Sequence, residues 1–137
     1  MLTAQQIMRH PVHTVHCSDS VAQAVRLMQM RGVSSLLVPP RLEGEGYGII
    51  TKADVIAKVV APGRDPLRVR VAEVMSRPLH TVAPEASLRE CAALMMRCHI
   101  RRLPVFLKGQ PVGIVSDSDV FDMLLNFHTE AAASFSL

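Results

Sequence analysis

The chain contains 137 residues, of which 49% are apolar, 4% are aromatic and none is Trp, and its net charge is +3 at pH 7. This length is enough for a domain of ordinary size, which can bury a hydrophobic core without the support of disulfide bonds. The small positive charge is not gathered into a basic stripe interleaved with aromatic residues, so nucleic acid is not expected as a partner.

The cysteines and the apolar segments indicate the cellular compartment of the protein. Cys17, Cys91 and Cys98 are odd in number and lack C-x-x-C spacing, a pattern typical of reduced thiols in a cytoplasmic protein. The first residues show no charged-then-apolar signal pattern, and no apolar run approaches the length that spans a membrane. We therefore expect a cytoplasmic protein with no membrane partner.

The predicted elements begin with a short helix over residues 3–8, where Thr3 and Gln6 have the spacing of a capping box. Pro11 then ends this turn, and a brief strand follows over residues 12–15. The same order returns later in the chain, with a short helix over residues 71–75, Pro78, and a strand over residues 79–82.

An amphipathic helix follows in each copy. Ser18 or Asp19 is expected to cap the first helix, and Pro84 with Glu85 to begin the second. Gly32 and His99 occupy the positions at which a left-handed residue ends a helix. Apolar residues recur at helical spacing on both helices: Val21, Ala24, Val25 and Met28 in the first, and Leu88, Cys91, Ala92 and Met95 in the second.

Each copy closes with a hairpin and a last helix. The strands are predicted over residues 33–38 and 47–50, and again over residues 100–106 and 112–115. The closing helices run over residues 52–60 and from 117 to about 127. The stretch 62–70, with Pro and Gly, is predicted to link the copies, and residues 128–137 form a tail.

The whole chain therefore contains one pattern twice: residues 7–38 align with residues 74–105, and the Gly-Ile-Ile-Thr segment at Gly48 aligns with the Gly-Ile-Val-Ser segment at Gly113. A long period present only twice predicts two similar half-domains rather than a solenoid. We assign residues 1–61 to the first copy and 71–127 to the second. The predicted class is α/β, of the α+β type, with each copy ordered helix, strand, helix, strand, strand, helix.

The sharpest motif is a strand that runs into a helix through a hydroxyl residue, with a carboxylate three positions later. Thr51 and Asp54 form it in the first copy, and Ser116 and Asp119 in the second. One interpretation is a helix cap, since hydroxyl and acidic residues at this spacing satisfy free backbone N–H groups. The other is ligand binding, in which the hydroxyl meets a phosphate and the carboxylate accepts hydrogen bonds from a ribose diol. The same residues can cap the helix and bind a ligand at the same time.

Two adjacent arginines, Arg101 and Arg102, enter a strand that otherwise looks buried. Arginine is seldom buried without a partner, so this pair indicates either a solvated strand start or phosphate recognition by guanidinium. The first copy has Ser34 and Ser35 at these positions, which bring no charge. The two copies would then offer unequal sites.

Other combinations are weaker. His10, His13 and His16 are separated by Pro11 and do not make a closed ligand set, so no metal site is predicted. The Gly-rich stretch that ends at Gly48 precedes a strand rather than a helix, unlike a Rossmann phosphate loop. No set of residues has the pattern of a catalytic centre, and we do not expect an enzyme.

Taken together, these repeated motifs resemble the cystathionine-β-synthase (CBS) domain, present twice over residues 3–126 as in a Bateman module. The resemblance rests on Ile7-Met8, Thr14-Val15, the Gly32 to Val38 strand, the Gly-Ile-Ile-Thr-x-x-Asp segment and their second copies. It implies two halves related by a pseudo-two-fold axis, with clefts between them that hold AMP, ADP, ATP or S-adenosylmethionine.

The resemblance also assigns roles to residues. Asp54 and Asp119 would hold ribose hydroxyls, Thr51 and Ser116 the ribose or phosphate, and Arg101 and Arg102 the phosphate. Ser34 and Ser35 would replace the arginines in the first copy. The apolar slot for the base is implied at Thr14, Val15, Thr81 and Val82.

The expected function is therefore a regulatory module that senses an adenine nucleotide, requires no cofactor, forms a homodimer and acts on an unidentified effector protein. A ligand-free structural or interaction module is the main alternative. A nucleic-acid or metal binder is a second, less favoured one.

Overall fold

A computed structural model describes residues 1–77 and 79–125 of the chain. The predictions for Pro78, for the end of the last helix near residue 127 and for the tail 128–137 therefore lie outside the described residues. In chain order the elements are α1 (Ala4–Ile7), α2 (Val21–Arg31), β1 (Ser35–Val38), β2 (Gly48–Thr51), α3 (Lys52–Val55), α4 (Val71–Val74), α5 (Leu88–Cys98), β3 (Arg102–Leu107), β4 (Gln110–Ser116) and α6 (Asp117–Met123). The predicted mixture of helices and strands is confirmed.

The two long helices begin at residues that the sequence analysis did not choose. Ser20 caps α2 by accepting a hydrogen bond from Gln23 N, and Ser87 caps α5 by accepting one from Glu90 N. The expected cap of the first helix at Ser18 or Asp19 and the expected start of the second at Pro84 with Glu85 are therefore wrong, since the helices begin at Val21 and Leu88. The predicted ends are confirmed, since Gly32 and His99 both have left-handed backbone conformations, with φ of 65° and 55°.

Each copy contains an antiparallel hairpin, β1 with β2 and β3 with β4. The brief strands expected over residues 12–15 and 79–82 are shorter than predicted. Each is reduced to one parallel bridge, Thr14 beside Leu37 and Val82 beside Val105. The closing helix of the first copy also differs from a simple helix, because α3 continues as a π-helix over Ile56–Val60.

The chain divides into two compact units. The continuous unit covers residues 13–79, and the split unit combines residues 1–12 with the chain from residue 80 onward. The core of the continuous unit packs α2 against the β1–β2 hairpin, with Leu36, Val38 and Ile50 fully buried or nearly so. The core of the split unit places Leu88, Cys91 and Met95 of α5 against the β3–β4 hairpin.

These units do not follow the two sequence copies, because each copy sends its short first helix to the other copy's core. Ala4 and Ile7 of α1 are buried in the split unit, beside α5 and the β3–β4 hairpin. Val71 and Val74 of α4 are buried in the continuous unit. Backbone hydrogen bonds reinforce both placements, including Ala4 N to Ala86 O at 2.7 Å and Val71 N to Asp19 O at 2.9 Å.

Candidate functional site

The hydroxyl-to-carboxylate motif forms the same corner in both units. At the start of α3, Thr51 Oγ1 accepts a hydrogen bond from Asp54 N at 3.1 Å, and Asp54 Oδ2 accepts one from Thr51 N at 3.0 Å. Ser116 and Asp119 repeat this at the start of α6, at 3.1 and 2.9 Å. The capping interpretation is confirmed at both corners, and each corner uses one oxygen of its carboxylate.

The register of each hairpin places the strand residues that were predicted to contact a ligand next to these corners. Ser35 lies directly opposite Thr51, and Arg102 lies directly opposite Ser116. The preceding residues also reach the corner through their backbones, since Lys52 N donates to Ser34 O at 2.9 Å and Asp117 N donates to Arg101 O at 2.8 Å. Each predicted set is thus assembled within one unit.

The residues expected at the base slot lie on the neighbouring bridges. Thr14 and Thr81 are exposed, whereas Val15 is buried and Val82 is half-buried. Val15 N donates to Leu37 O at 3.0 Å, and Val82 N donates to Pro104 O at 3.1 Å. Thr14 and Val15 therefore run beside the strand that carries Ser35, and Thr81 and Val82 beside the strand that carries Arg102.

The carboxylate of Asp119 is closed by a cation that the sequence analysis missed. Arg9 Nε donates to Asp119 Oδ1 at 2.9 Å, and the Asp119 side chain is only 7% exposed. The pKa of Arg9 is raised above its ordinary value, mainly by this hydrogen bond and by the charge of Asp119, with a smaller effect of Asp122. Both oxygens of Asp119 therefore have hydrogen-bond donors from the protein, and the Arg9 side chain that covers Oδ1 is itself 76% exposed.

The carboxylate of Asp54 has a looser environment. Its side chain is 20% exposed, and Lys58 Nζ lies 3.9 Å from Oδ1, which is too long for a hydrogen bond. Lys58 instead donates to Val74 O at 2.9 Å. Of the two corners, the one at Asp54 is the more accessible to a ligand.

Sequence patterns could not reveal Arg9, because it lies 110 positions from Asp119 along the chain. Lys58 was detectable, since it follows Asp54 by one helical turn, a spacing at which opposite charges attract.

The continuous unit also contains a cavity of about 310 Å³ between α2 and α3. Met28, Val33, Val55 and Ile56 give it an apolar wall, and Lys52 contributes a charge. Neither Thr51 nor Asp54 lines it. The cavity is therefore separate from the corner that the sequence analysis singled out.

The three cysteines are free thiols and differ in burial. Cys17 and Cys91 are buried and Cys98 is half-buried, all with free thiols; burial raises the pKa of Cys91, which keeps this thiol protonated. Among residues 1–77 and 79–125, no three His, Cys, Asp or Glu side chains gather as metal ligands. No helix in the described part of the chain has the length and apolar character needed to cross a bilayer.

Comparison with known proteins gives the family. The family model of the CBS domain matches twice, over residues 4–61 and 71–126. The chain belongs to the CBS domain family. Tandem CBS domains form a family of regulatory or sensor modules, some members of which are structural or interaction modules.

Three similar proteins illustrate the range of the family. The hexameric CBS-CP12 protein from bloom-forming cyanobacteria is 39% identical, with a TM-score of 0.87 over 96% of this chain and 75% of that one. The CBS domain-containing protein YhcV of Bacillus subtilis is 32% identical over 88% of this chain and 84% of its own length. The protein MK0525 of Methanopyrus kandleri is 30% identical over 86% of this chain, which spans only 60% of that relative.

Proposed function

We propose that this tandem CBS protein is a regulatory module that binds an adenosine-type nucleotide, with AMP, ADP and ATP as the leading ligands. The accessible carboxylate of Asp54 carries the proposal, because it stands beside a hydroxyl residue at the end of a strand. Its Oδ1 can accept a hydrogen bond from a ribose hydroxyl while Oδ2 holds the cap. The module has no catalytic role of its own, and S-adenosylmethionine is a further possible ligand.

A nucleotide regulates such a module only by binding one arrangement of the protein more tightly than another. The change is passed on to a separate effector protein. Family membership supports this role, because tandem CBS domains form regulatory and sensor modules.

Isothermal titration calorimetry with AMP, ADP, ATP and S-adenosylmethionine tests the proposal. The variant Asp54→Asn retains an oxygen that can accept from Thr51 N, so the cap survives while the charge is lost. We expect it to weaken nucleotide binding about tenfold or more, since hydrogen bonds to charged groups contribute about 1.5–3 kcal/mol. Glu43→Gln, an exposed acidic position outside the corner, is the control. Equal affinity of the two variants would contradict the assignment.

A second candidate function, assembly of identical subunits, is favoured by exposed apolar side chains on each of the two closing helices. Ile56 and Val60 are 51% and 65% exposed, and their counterparts in the second copy, Phe121 and Leu125, are 65% and 64% exposed. Apolar side chains repeated at equivalent exposed positions indicate a surface that another protein covers. The hexameric CBS-CP12 relative supports a homo-oligomer, of which the homodimer is the simplest form.

Light scattering coupled to size-exclusion chromatography tests this assembly. We expect Val60→Lys combined with Leu125→Lys to reduce the molar mass toward that of the 15.0 kDa chain, because burying the charges at an apolar interface is costly. Leu67→Lys, at an apolar position that is 69% exposed outside these helices, is the control. An unchanged assembly in the double variant would show that these helices do not form the interface.

A further inference from the structure

Arg9 and Ser76 occupy equivalent backbone positions in the two units. Arg9 N donates to Ile114 O at 2.8 Å and Ile114 N to Arg9 O at 3.0 Å. Ser76 N donates to Ile49 O at 2.8 Å and Ile49 N to Ser76 O at 3.0 Å. Ile114 and Ile49 are themselves equivalent residues of β4 and β2, just before the two corners.

The side chains at this shared position differ in what they do to the neighbouring carboxylate. Arg9 holds Oδ1 of Asp119 by a charged hydrogen bond, and Ser116 N holds Oδ2. A ribose diol approaching Asp119 would have to displace the guanidinium or share an oxygen that is already engaged and nearly buried. Ser76 has no charge with which to close Asp54 in this way.

The cation near Asp54 does not replace Arg9. Lys58 belongs to the helix that follows the corner, and its ammonium gives its hydrogen bond to the backbone of Val74. Its distance of 3.9 Å from Oδ1 leaves an attraction between charges without a hydrogen bond.

We infer that Arg9 blocks the corner at Asp119, so that the protein takes up one nucleotide per chain, at the corner of Asp54. This inference rests on the proposed function and gives it a stoichiometry and a place. Arg9 is a positioning residue. It would not touch a nucleotide itself, and it affects binding only through the carboxylate of Asp119, which it holds by a hydrogen bond.

Titration of the complete chain with AMP, and separately with ATP, measures the stoichiometry. We expect one equivalent to bind the native protein, with an affinity that Asp54→Asn lowers about tenfold and Asp119→Asn leaves within about twofold. Arg9→Met retains the length of the side chain without its charge, and it leaves the backbone pairing with Ile114 in place. We expect this variant to gain a second equivalent that Asp119→Asn then removes.

The reciprocal exchange keeps the test independent of how Arg9→Met folds. Ser76→Arg places a guanidinium at the equivalent position of the continuous unit, and we expect it to lower the affinity at Asp54 about tenfold. Ser76→Met adds similar bulk without charge and is the matched control. Thermal unfolding of each variant establishes that it is folded before it is titrated.

The outcomes separate this inference from the proposed function. Two equivalents on the native chain, or one that is lost with Asp119→Asn, would overturn the role of Arg9 and leave nucleotide binding intact. A stoichiometry of one in Arg9→Met, or equal affinity of Ser76→Arg and Ser76→Met, would also overturn it. The absence of binding in the native chain and in every variant would remove the proposed function, and the inference with it.

Discussion

At the residue scale, two glycines lie where the residues that follow each opening helix pack against a hairpin. Gly113 of β4 faces the Met8 side chain, and Gly48 of β2 faces Met75 and the Ser76 backbone. A Cβ at residue 113 would overlap the Met8 side chain, and one at residue 48 would lie 3.1 Å from Met75 Sδ. The φ of Gly113 is not in the left-handed region, so the backbone conformation does not require glycine. The contact with the Met8 side chain is what requires it.

Gly113→Ala is therefore expected to destabilise the protein by about 1–3 kcal/mol, the usual effect of overpacking a well-packed interior. Gly46→Ala is the matched control, because nothing lies within 4 Å of its added Cβ. Thermal or urea unfolding of both variants measures the difference. Met8→Ala added to Gly113→Ala should cost less than the sum of the two changes, as expected for side chains that compete for the same space. A Gly113→Ala protein as stable as the Gly46→Ala protein would contradict the packing argument.

The residue scale also shows where sequence reasoning reaches its limit. Asp54 and Asp119 were found from the sequence because a cap depends on spacing within one turn of helix. The closure of Asp119 could not be found, because it depends on Arg9, which lies 110 positions away along the chain. Arginine at residue 9 and serine at residue 76 look like ordinary differences between repeats until the backbone pairs both with equivalent strand residues, Ile114 and Ile49.

At the element scale, the helices were predicted better than their starting points. The apolar spacing of α2 and α5 is a property of the whole helix, and Val21, Ala24, Leu88 and Cys91 are buried as expected. The cap is a choice among adjacent residues that can all accept a hydrogen bond. Asp19 illustrates this, since its carboxylate accepts from His16 N at 3.2 Å instead of capping α2.

The methionines of the two long helices differ in burial according to their position on the helix. Met28 and Met95 are 7% and 2% exposed and belong to the cores, whereas Met30 and Met96 are 68% and 71% exposed. Helical spacing accounts for the difference, because residues two or one apart point to different sides of a helix. The brief strands were overestimated since β-propensity cannot determine how many residues actually pair.

At the scale of the whole molecule, the two sequence copies do not coincide with the two compact units of the structure. The sequence predicts α1 and α4 as short opening helices, but it could not show which core each helix would join. The structure places α1 with the second copy and α4 with the first. Residues 66–70 take part in this arrangement, since Ala22 N donates to Pro66 O at 3.0 Å and Val69 is buried.

This arrangement predicts how fragments of the chain behave. Residues 13–79 contain every buried residue of the continuous unit's core, whereas residues 1–61 lack Val69, Val71 and Val74. Burial of a valine side chain contributes about 1.5–3 kcal/mol, so loss of all three removes an amount comparable to the whole stability of a small domain, about 5–15 kcal/mol. We expect fragment 13–79 to unfold cooperatively on heating and fragment 1–61 to show no cooperative transition, both followed by circular dichroism.

Val71→Asp in fragment 13–79 should abolish its transition, because this valine is fully buried. A cooperative transition in fragment 1–61 would instead show that a sequence copy folds without the helix of its neighbour.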